Sequence, residues 1–296
     1  MTLEVRRLAP SLGAEIVGLD LSCDLDNQVI RLITAAWAAH GVLVFRGSPL
    51  SDDAHVRFAR HFGTPGTFRQ RVEGAGVVHE IFKAGNVDER GNLLPASSDR
   101  AQLVMLNWSW HTDSSYRPMP TKGTILHAMA VADEGGDTVF ANLVAAYDAL
   151  PAAAKARIDR LFARHSFEFL VTSRGFPPMN TDDSARLPSV EHPLVRRHPD
   201  GRRSLYLSPP YMESIIGLSP SESVALVTEL AEWATQERFL YRHHWAPHDV
   251  VMWDNGWTMH MVTPYDLTRC RRVMHGTTLQ GTDVIEPRSS QAVTSL

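Results

Sequence analysis

The chain has 296 residues, of which 44% are apolar and 21% charged; it is long enough for one large domain with its own core. A net charge of −4 with no long run of either sign removes the electrostatic case for nucleic acid or a membrane surface as partner. Cys23 and Cys270 are far apart and lack motif spacing. A disulfide framework is therefore not expected, and a reducing, cytoplasmic setting is. The N-terminal residues have no apolar signal core and no uncharged apolar run reaches about 18 residues, so neither export nor a membrane span is expected.

In chain order, Leu12 to Leu21 carries glycines and rough alternation, predicting an early strand pair with a turn. Asn27 to His40 has helical apolar spacing and stops at Gly41. Val42 to Phe45 reads as a short buried strand. Ser51, Asp52 and Asp53 open a helix that ends before Gly63. Residues 64 to 100 are irregular, with a candidate strand at Val77–Phe82. The apolar run Leu103–Leu106 predicts a buried strand leading into Asn107-Trp-Ser-Trp-His-Thr-Asp-Ser-Ser-Tyr116.

Further strands are expected at Thr124–Val131 and Asp137–Phe140, then two helices from Leu143 to Phe167 broken near Pro151. Residues 172 to 191 have no periodicity and are rich in Pro, Ser and Asp, which suggests an active-site lid. A strand at Ser204–Ser208 precedes a helix from Ser219 to about Gln236. Strands follow at Phe239–His244, Val250–Trp253 and Arg271–Leu279, and residues after about Asp283 read as a tail. Many short strands with grouped helices do not make a βαβ alternation. They predict one domain over 1–296, a mixed α+β, mainly β fold: a jelly roll with helices packed outside.

His111 and Asp113 are two apart, so in a strand both project from one face. An imidazole and a carboxylate together are two-thirds of the facial triad that holds Fe(II) and leaves positions open for cosubstrate and oxygen. A second His-x-Asp at His198-Pro-Asp200 has Pro inside and Gly after it, and reads as a surface turn. His260 follows an apolar strand and a polar turn, and eleven residues later comes Arg271. An arginine opening an apolar strand suits a carboxylate in a desolvated site. Arg271 shares a face with Val273 and His275; a register slip of one residue would bring Arg272 into its place.

This set resembles the TauD/TfdA family of Fe(II)- and 2-oxoglutarate-dependent dioxygenases. The resemblance extends through Leu12-Gly-Ala-Glu-Ile-Val-Gly-Leu-Asp20, Val42-Leu-Val-Phe-Arg-Gly47 and Phe58-Ala-Arg-His-Phe-Gly63. It continues in Gly135-Gly-Asp-Thr138, Ala145-Ala-Tyr-Asp-Ala-Leu150 and Trp253-Asp-Asn255. The branch it looks most like is the aryloxyalkanoate dioxygenases. The resemblance implies a double-stranded β-helix core, Fe(II) bound by His111, Asp113 and His260, and 2-oxoglutarate held at its distal carboxylate by Thr138 and Arg271. It implies hydroxylation of an aliphatic C–H of a small carboxylate substrate by O2, with succinate and CO2 as co-products. On an aryloxyalkanoate the hydroxylated carbon would release a phenol. N-acyl amino acids, alkyl sulfates or sulfonates, and natural-product scaffolds are the other substrate classes; a non-catalytic jelly-roll binding protein is the reading from another class. A homo-oligomer is expected on the same grounds.

The pattern departs in one place. Several relatives carry a second arginine on the last strand for the substrate's anion, whereas the position four beyond Arg271 is His275. His275, His79, Lys83, Asn107 and Tyr116 are therefore the candidate substrate contacts, with Arg71 and Arg174 as other cations in reach.

Overall fold

The computed structural model describes residues 3–69, 78–179, 181–282 and 285. The strand β1 (Glu4–Arg7) pairs antiparallel with β2 (Ala14–Val17). Helix α1 (Asn27–His40) starts where the Asp26 carboxylate accepts from the Val29 N–H, and ends at Gly41 with φ of 70°. A side chain at Gly41 would also meet the Trp257 ring at 2.5 Å, so glycine is required twice over. Next come β3 (Val42–Phe45) and α2 (Asp52–Arg60), the latter capped by Ser51 with Asp52 and Asp53 in its first turn. The short pair β4 (Phe68–Arg69) and β5 (Val78–His79) precedes β6 (Phe82–Gly85).

Helix α3 (Asp99–Leu106) occupies the run expected to be a strand. The Ser98 hydroxyl accepts from the Ala101 N–H, and that cap starts a helix whose apolar residues otherwise suit either state. Strands β7 (Gly123–Ala130) and β8 (Thr138–Asn142) lead into α4 (Leu143–Asp148) and α5 (Ala152–Ile158), parted at Pro151. The second expected helix stops early, because β9 (Phe162–His165) pairs with β10 and β13 on either side. Helices α6 (Phe167–Ser173) and α7 (Thr181–Arg186) and strand β10 (Val190–Pro193) structure half of the segment 172–191 expected to be aperiodic. Strands β11 (Val195–Arg197), β12 (Arg203–Leu205) and β13 (Met212–Ile215) precede α8 (Pro220–Ala234). Helix α8 has Pro at its first position and a full Ser219/Glu222 capping box. The last strands are β14 (Leu240–His243), β15 (Val250–Asp254), β16 (Thr258–Val262) and β17 (Val273–Leu279).

Two sheets matter for the site. The larger has seven strands in the order β1-β2-β3-β15-β7-β17-β6, antiparallel except for the β2–β3 pair. The smaller has the order β14-β8-β16. Alternation along each strand sends one set of side chains between the sheets and the other outward. Val42, Val44, Val251 and Trp253 meet Phe140 and Tyr241 in the middle layer. Leu43, Phe45, Val250 and Met252 face outward under α1 and α2. Ala141 and Met259, on the outer face of the smaller sheet, are covered by α4 and α8. The stack is thus helix, sheet, sheet, helix, a mixed and mainly β architecture.

Candidate active site

The three expected metal ligands converge. One donor atom from each of His111, Asp113 and His260 lies within 4.8 Å of the others. Asp113 Oδ1 sits 3.7 Å from His111 Nε2 and 3.7 Å from His260 Nε2. The convergence is made by backbone. His111 and His260 form an isolated antiparallel bridge, with the N–H of each donating to the carbonyl of the other at 2.8 Å. His260 lies in β16, but His111 has only this bridge and Asp113 sits in the turn after it, so the two are not neighbours on a regular strand as their spacing predicted.

Each ligand is oriented from behind. His111 Nδ1 is 2.7 Å from the Ser109 carbonyl, which makes Nδ1 the protonated nitrogen and turns the Nε2 lone pair to the site. The Thr124 hydroxyl donates to Asp113 Oδ2 at 2.6 Å. Thr124 in turn accepts from the Asn255 amide, and Trp253 Nε1 donates to Asn255 Oδ1. Burial pushes the Asp113 carboxyl up, but His260, His111 and hydrogen bonds from Thr124 and Asn255 outweigh it and hold it below its ordinary value. Burial lowers His260 to about 3, with His111 adding to the effect and Asp113 opposing it. Two neutral imidazoles and one carboxylate anion are what a divalent ion needs.

Beside the triad is a cavity of about 80 Å³ between the two sheets. Phe82 and Ala84 of β6, Thr124 and Leu126 of β7, and Trp253 of β15 line it from the larger sheet; Thr138 of β8 and His260 and Val262 of β16 line it from the smaller. Asn107 and Arg272 complete the wall. Arg272, not Arg271, faces inward. Arg271 is exposed, whereas Arg272 is 5% exposed, its Nε donates to the Gly136 carbonyl at 2.9 Å, and its backbone N–H donates to Asn86 Oδ1. Arg272 shares the buried face with Met274 and Gly276 by unbroken alternation, so the expectation chose the wrong face of the segment. Burial lowers the guanidinium to about 10, against the opposing pull of Tyr265 and Asp137. Thr138 Oγ1 accepts from Trp245 Nε1 at 3.0 Å, which leaves its own proton free to donate.

The remaining expected residues divide. Asn107 lines the cavity and closes α3. Tyr116 lies outside it, its ring 5.0 Å from Phe167 and 5.1 Å from Tyr211. Three do not reach the cavity. His79 is exposed on β5. Lys83 and His275 are direct cross-strand partners whose side chains leave the sheet on the face opposite Phe82 and Gly276; His275 Nδ1 instead meets Asp52 at 2.6 Å. Gly276 therefore occupies the inward position that the register error gave to His275. Arg174 donates to the Ser109 hydroxyl at 2.5 Å, and Arg71 lies outside the described residues. Phe82, Ala84 and Leu126 had no motif to mark them; the alternation of β6 and β7 was the available signal.

A buried two-histidine, one-carboxylate set with a cavity and an inward arginine defines a mononuclear iron oxygenase centre. The family model for the taurine catabolism dioxygenase TauD, TfdA family matches residues 4–278, and the chain belongs to that family. The (S)-phenoxypropionate/alpha-ketoglutarate-dioxygenase of Sphingobium herbicidovorans is 35% identical over 281 residues, 92% of this chain and 93% of that protein. The alpha-ketoglutarate-dependent 2,4-dichlorophenoxyacetate dioxygenase of Cupriavidus pinatubonensis is 36% identical over 290 residues, covering 94% and 98%. Among solved structures, AAD-2 in complex with Mn(II) and N-oxalylglycine superposes with a TM-score of 0.87 at 36% identity, over 97% of this chain and 99% of that one. The protein is thus an Fe(II)- and 2-oxoglutarate-dependent dioxygenase. Among the described residues no helix is long and apolar enough to cross a membrane.

Proposed function

We propose that this enzyme hydroxylates the carbon beside the ether oxygen of a small aryloxyalkanoate, on a double-stranded β-helix core. His111, Asp113 and His260 hold Fe(II). Arg272 and Thr138 hold the distal carboxylate of 2-oxoglutarate. The observation that carries the reading is the pairing of the triad with Arg272, whose Nη2 is buried without a partner. A buried cationic N–H left unpaired is costly, and a carboxylate in the cavity would satisfy it.

When bound, the iron and its cosubstrate supply O2 activation, with 2-oxoglutarate leaving as succinate and CO2. The chain's own contribution is placement. Ser109 fixes the tautomer of His111, Thr124 fixes the rotation of Asp113, and Phe82, Leu126, Trp253 and Val262 keep water out of the cavity. A hydroxyl placed beside an ether oxygen makes a hemiacetal, which collapses to a phenol and a keto acid or aldehyde. The relatives described above act on phenoxypropionate and dichlorophenoxyacetate, which supports this substrate class. An alpha-ketoglutarate-dependent sulfate ester dioxygenase of Pseudomonas putida, 34% identical over 295 residues, keeps alkyl sulfates in the panel.

The test is anaerobic. Fe(II) and 2-oxoglutarate added to the metal-free protein should produce a visible charge-transfer band, and aryloxyalkanoates should shift it more than alkyl sulfates or N-acyl amino acids do. No band from folded, iron-loaded protein would sink the cosubstrate assignment.

A further inference from the structure

Thr138 and Arg272 have to be aimed at one carboxylate, and neither side chain can settle its own direction. A threonine hydroxyl rotates to donate or to accept as its surroundings allow, and an arginine loses much rotamer freedom when it is fixed. Something outside the cavity has to hold both.

Resting on the reading above, we propose that Trp245 is the positioning residue for the distal carboxylate of the cosubstrate, acting on both anchors through one indole. Trp245 follows β14, the strand beside β8, in which His243 is the direct partner of Thr138. Alternation carried two residues past His243 keeps Tyr241, His243 and Trp245 on one side, and Trp245 packs against Tyr241 in the middle layer. Its Nε1–H donates to Thr138 Oγ1 at 3.0 Å. An indole N–H can only donate, so the threonine oxygen accepts on that side and its own proton is turned toward the cavity that Thr138 lines. The same ring lies 5.9 Å from Arg272 Cζ, within reach of a cation–π contact. With the Gly136 carbonyl accepting from Nε, the guanidinium is held at two places, and the unpartnered Nη2 is left for the carboxylate.

The indole is itself clamped. His243 meets it edge-on, with ring centres 4.6 Å apart and planes at 89°. The Tyr241 hydroxyl lies 3.0 Å from His243 Nδ1, and Asp249 Oδ2 lies 3.2 Å from His243 Nε2. Asp249 pairs with Arg46 and also accepts from the N–H of Ala246, the residue after Trp245. Ring and backbone of Trp245 are thus fixed from behind by groups that do not line the cavity. Trp245 does not line it either, so its influence on the cosubstrate passes through Thr138 and Arg272. That influence is confined to the distal end, since the keto-acid end belongs to the iron.

The test is an anaerobic titration of the Fe(II) protein, read by the charge-transfer band, with 2-oxoglutarate and with 2-oxopentanoate, the same carbon chain without the distal carboxylate. Trp245→Phe removes the donor and keeps a ring. It should weaken 2-oxoglutarate about three- to tenfold, the contribution of one neutral hydrogen bond, and leave 2-oxopentanoate as in the wild type. In a Thr138→Val background the same change should cost less than about twofold, because its target is gone. Trp245→Leu, which also strips the ring from Arg272, should still weaken 2-oxoglutarate in that background; no loss there would overturn the arginine contact. Trp233→Phe is the control, since that indole donates to the Ala146 carbonyl from α8, away from the cavity, and it should titrate as the wild type. Wild-type affinity in Trp245→Phe, equal weakening of both acids, or the full loss persisting in Thr138→Val would each overturn the proposal. A wild-type protein that binds the two acids equally would strike the carboxylate-anchor reading itself, and this proposal with it.

Discussion

The Thr124 hydroxyl donates to Asp113 Oδ2 at 2.6 Å, while Asp113 Oδ1 lies equidistant from the two histidine Nε2 atoms. One carboxylate oxygen is thereby committed to the protein and the other to the site. Thr124→Val keeps the shape and removes the donor. It should leave the fold intact and weaken Fe(II) binding by about 10–100-fold, the usual cost of losing a partner behind a metal ligand. Anaerobic Fe(II) titration measures this; an unchanged dissociation constant would show that Asn255 alone holds Asp113.

The adjacent arginines make a second, internally controlled experiment. Arg272→Ala should raise the KM for 2-oxoglutarate at least about tenfold, since hydrogen bonds to charged groups contribute about 1.5–3 kcal/mol. Arg271→Ala, altering an exposed side chain, should stay within error of the wild type. The reverse pattern would return the anchor to Arg271.

Gly276 has no room for a side chain. A Cβ there would collide with the Phe82 ring and come within 2.5 Å of Leu126 Cδ2. Gly276→Ala should cost about 1–3 kcal/mol by overpacking, seen as a lower urea midpoint with an unchanged slope. It should also narrow the accepted substrates, because both displaced side chains line the cavity. Wild-type stability would mean that the β6 edge yields freely.

His55, buried under α2 against the larger sheet, has its pKa lowered to about 4, chiefly by burial and further by His127. Its folded value lies below the ordinary 6.5, so the unfolded chain takes up the proton first. The resulting stability is present above pH 6.5 and is lost as pH falls from there toward 4, by on the order of 3 kcal/mol in full. His55→Gln should flatten that part of the profile in urea titrations between pH 7.5 and 4.5. An equally steep decline in the variant would assign the loss to other buried histidines, such as His192, also lowered to about 4.

Residue type was legible where chemistry is local. His111, Asp113 and His260, which converge, and Thr138, which lines the cavity, carried a motif or a resemblance, and α1, α2 and α8 carried caps and apolar spacing, signals that act within a few residues. Register was not. The choice between Arg271 and Arg272 turns on which face of β17 is turned inward, which depends on partner strands far away in the chain. The same choice of face put His275 inward in the sequence reading, whereas Gly276 is inward in the structure. Leu103–Leu106 failed differently, since its apolar run suits strand or helix and only the Ser98 cap decides.

The backbone pair between His111 and His260 has one more implication, for which parts of the chain can vary. Two main-chain hydrogen bonds set the separation of these residues, and such bonds do not depend on which side chains surround them. The loops around the site can therefore diverge while the spacing of the two imidazoles stays fixed.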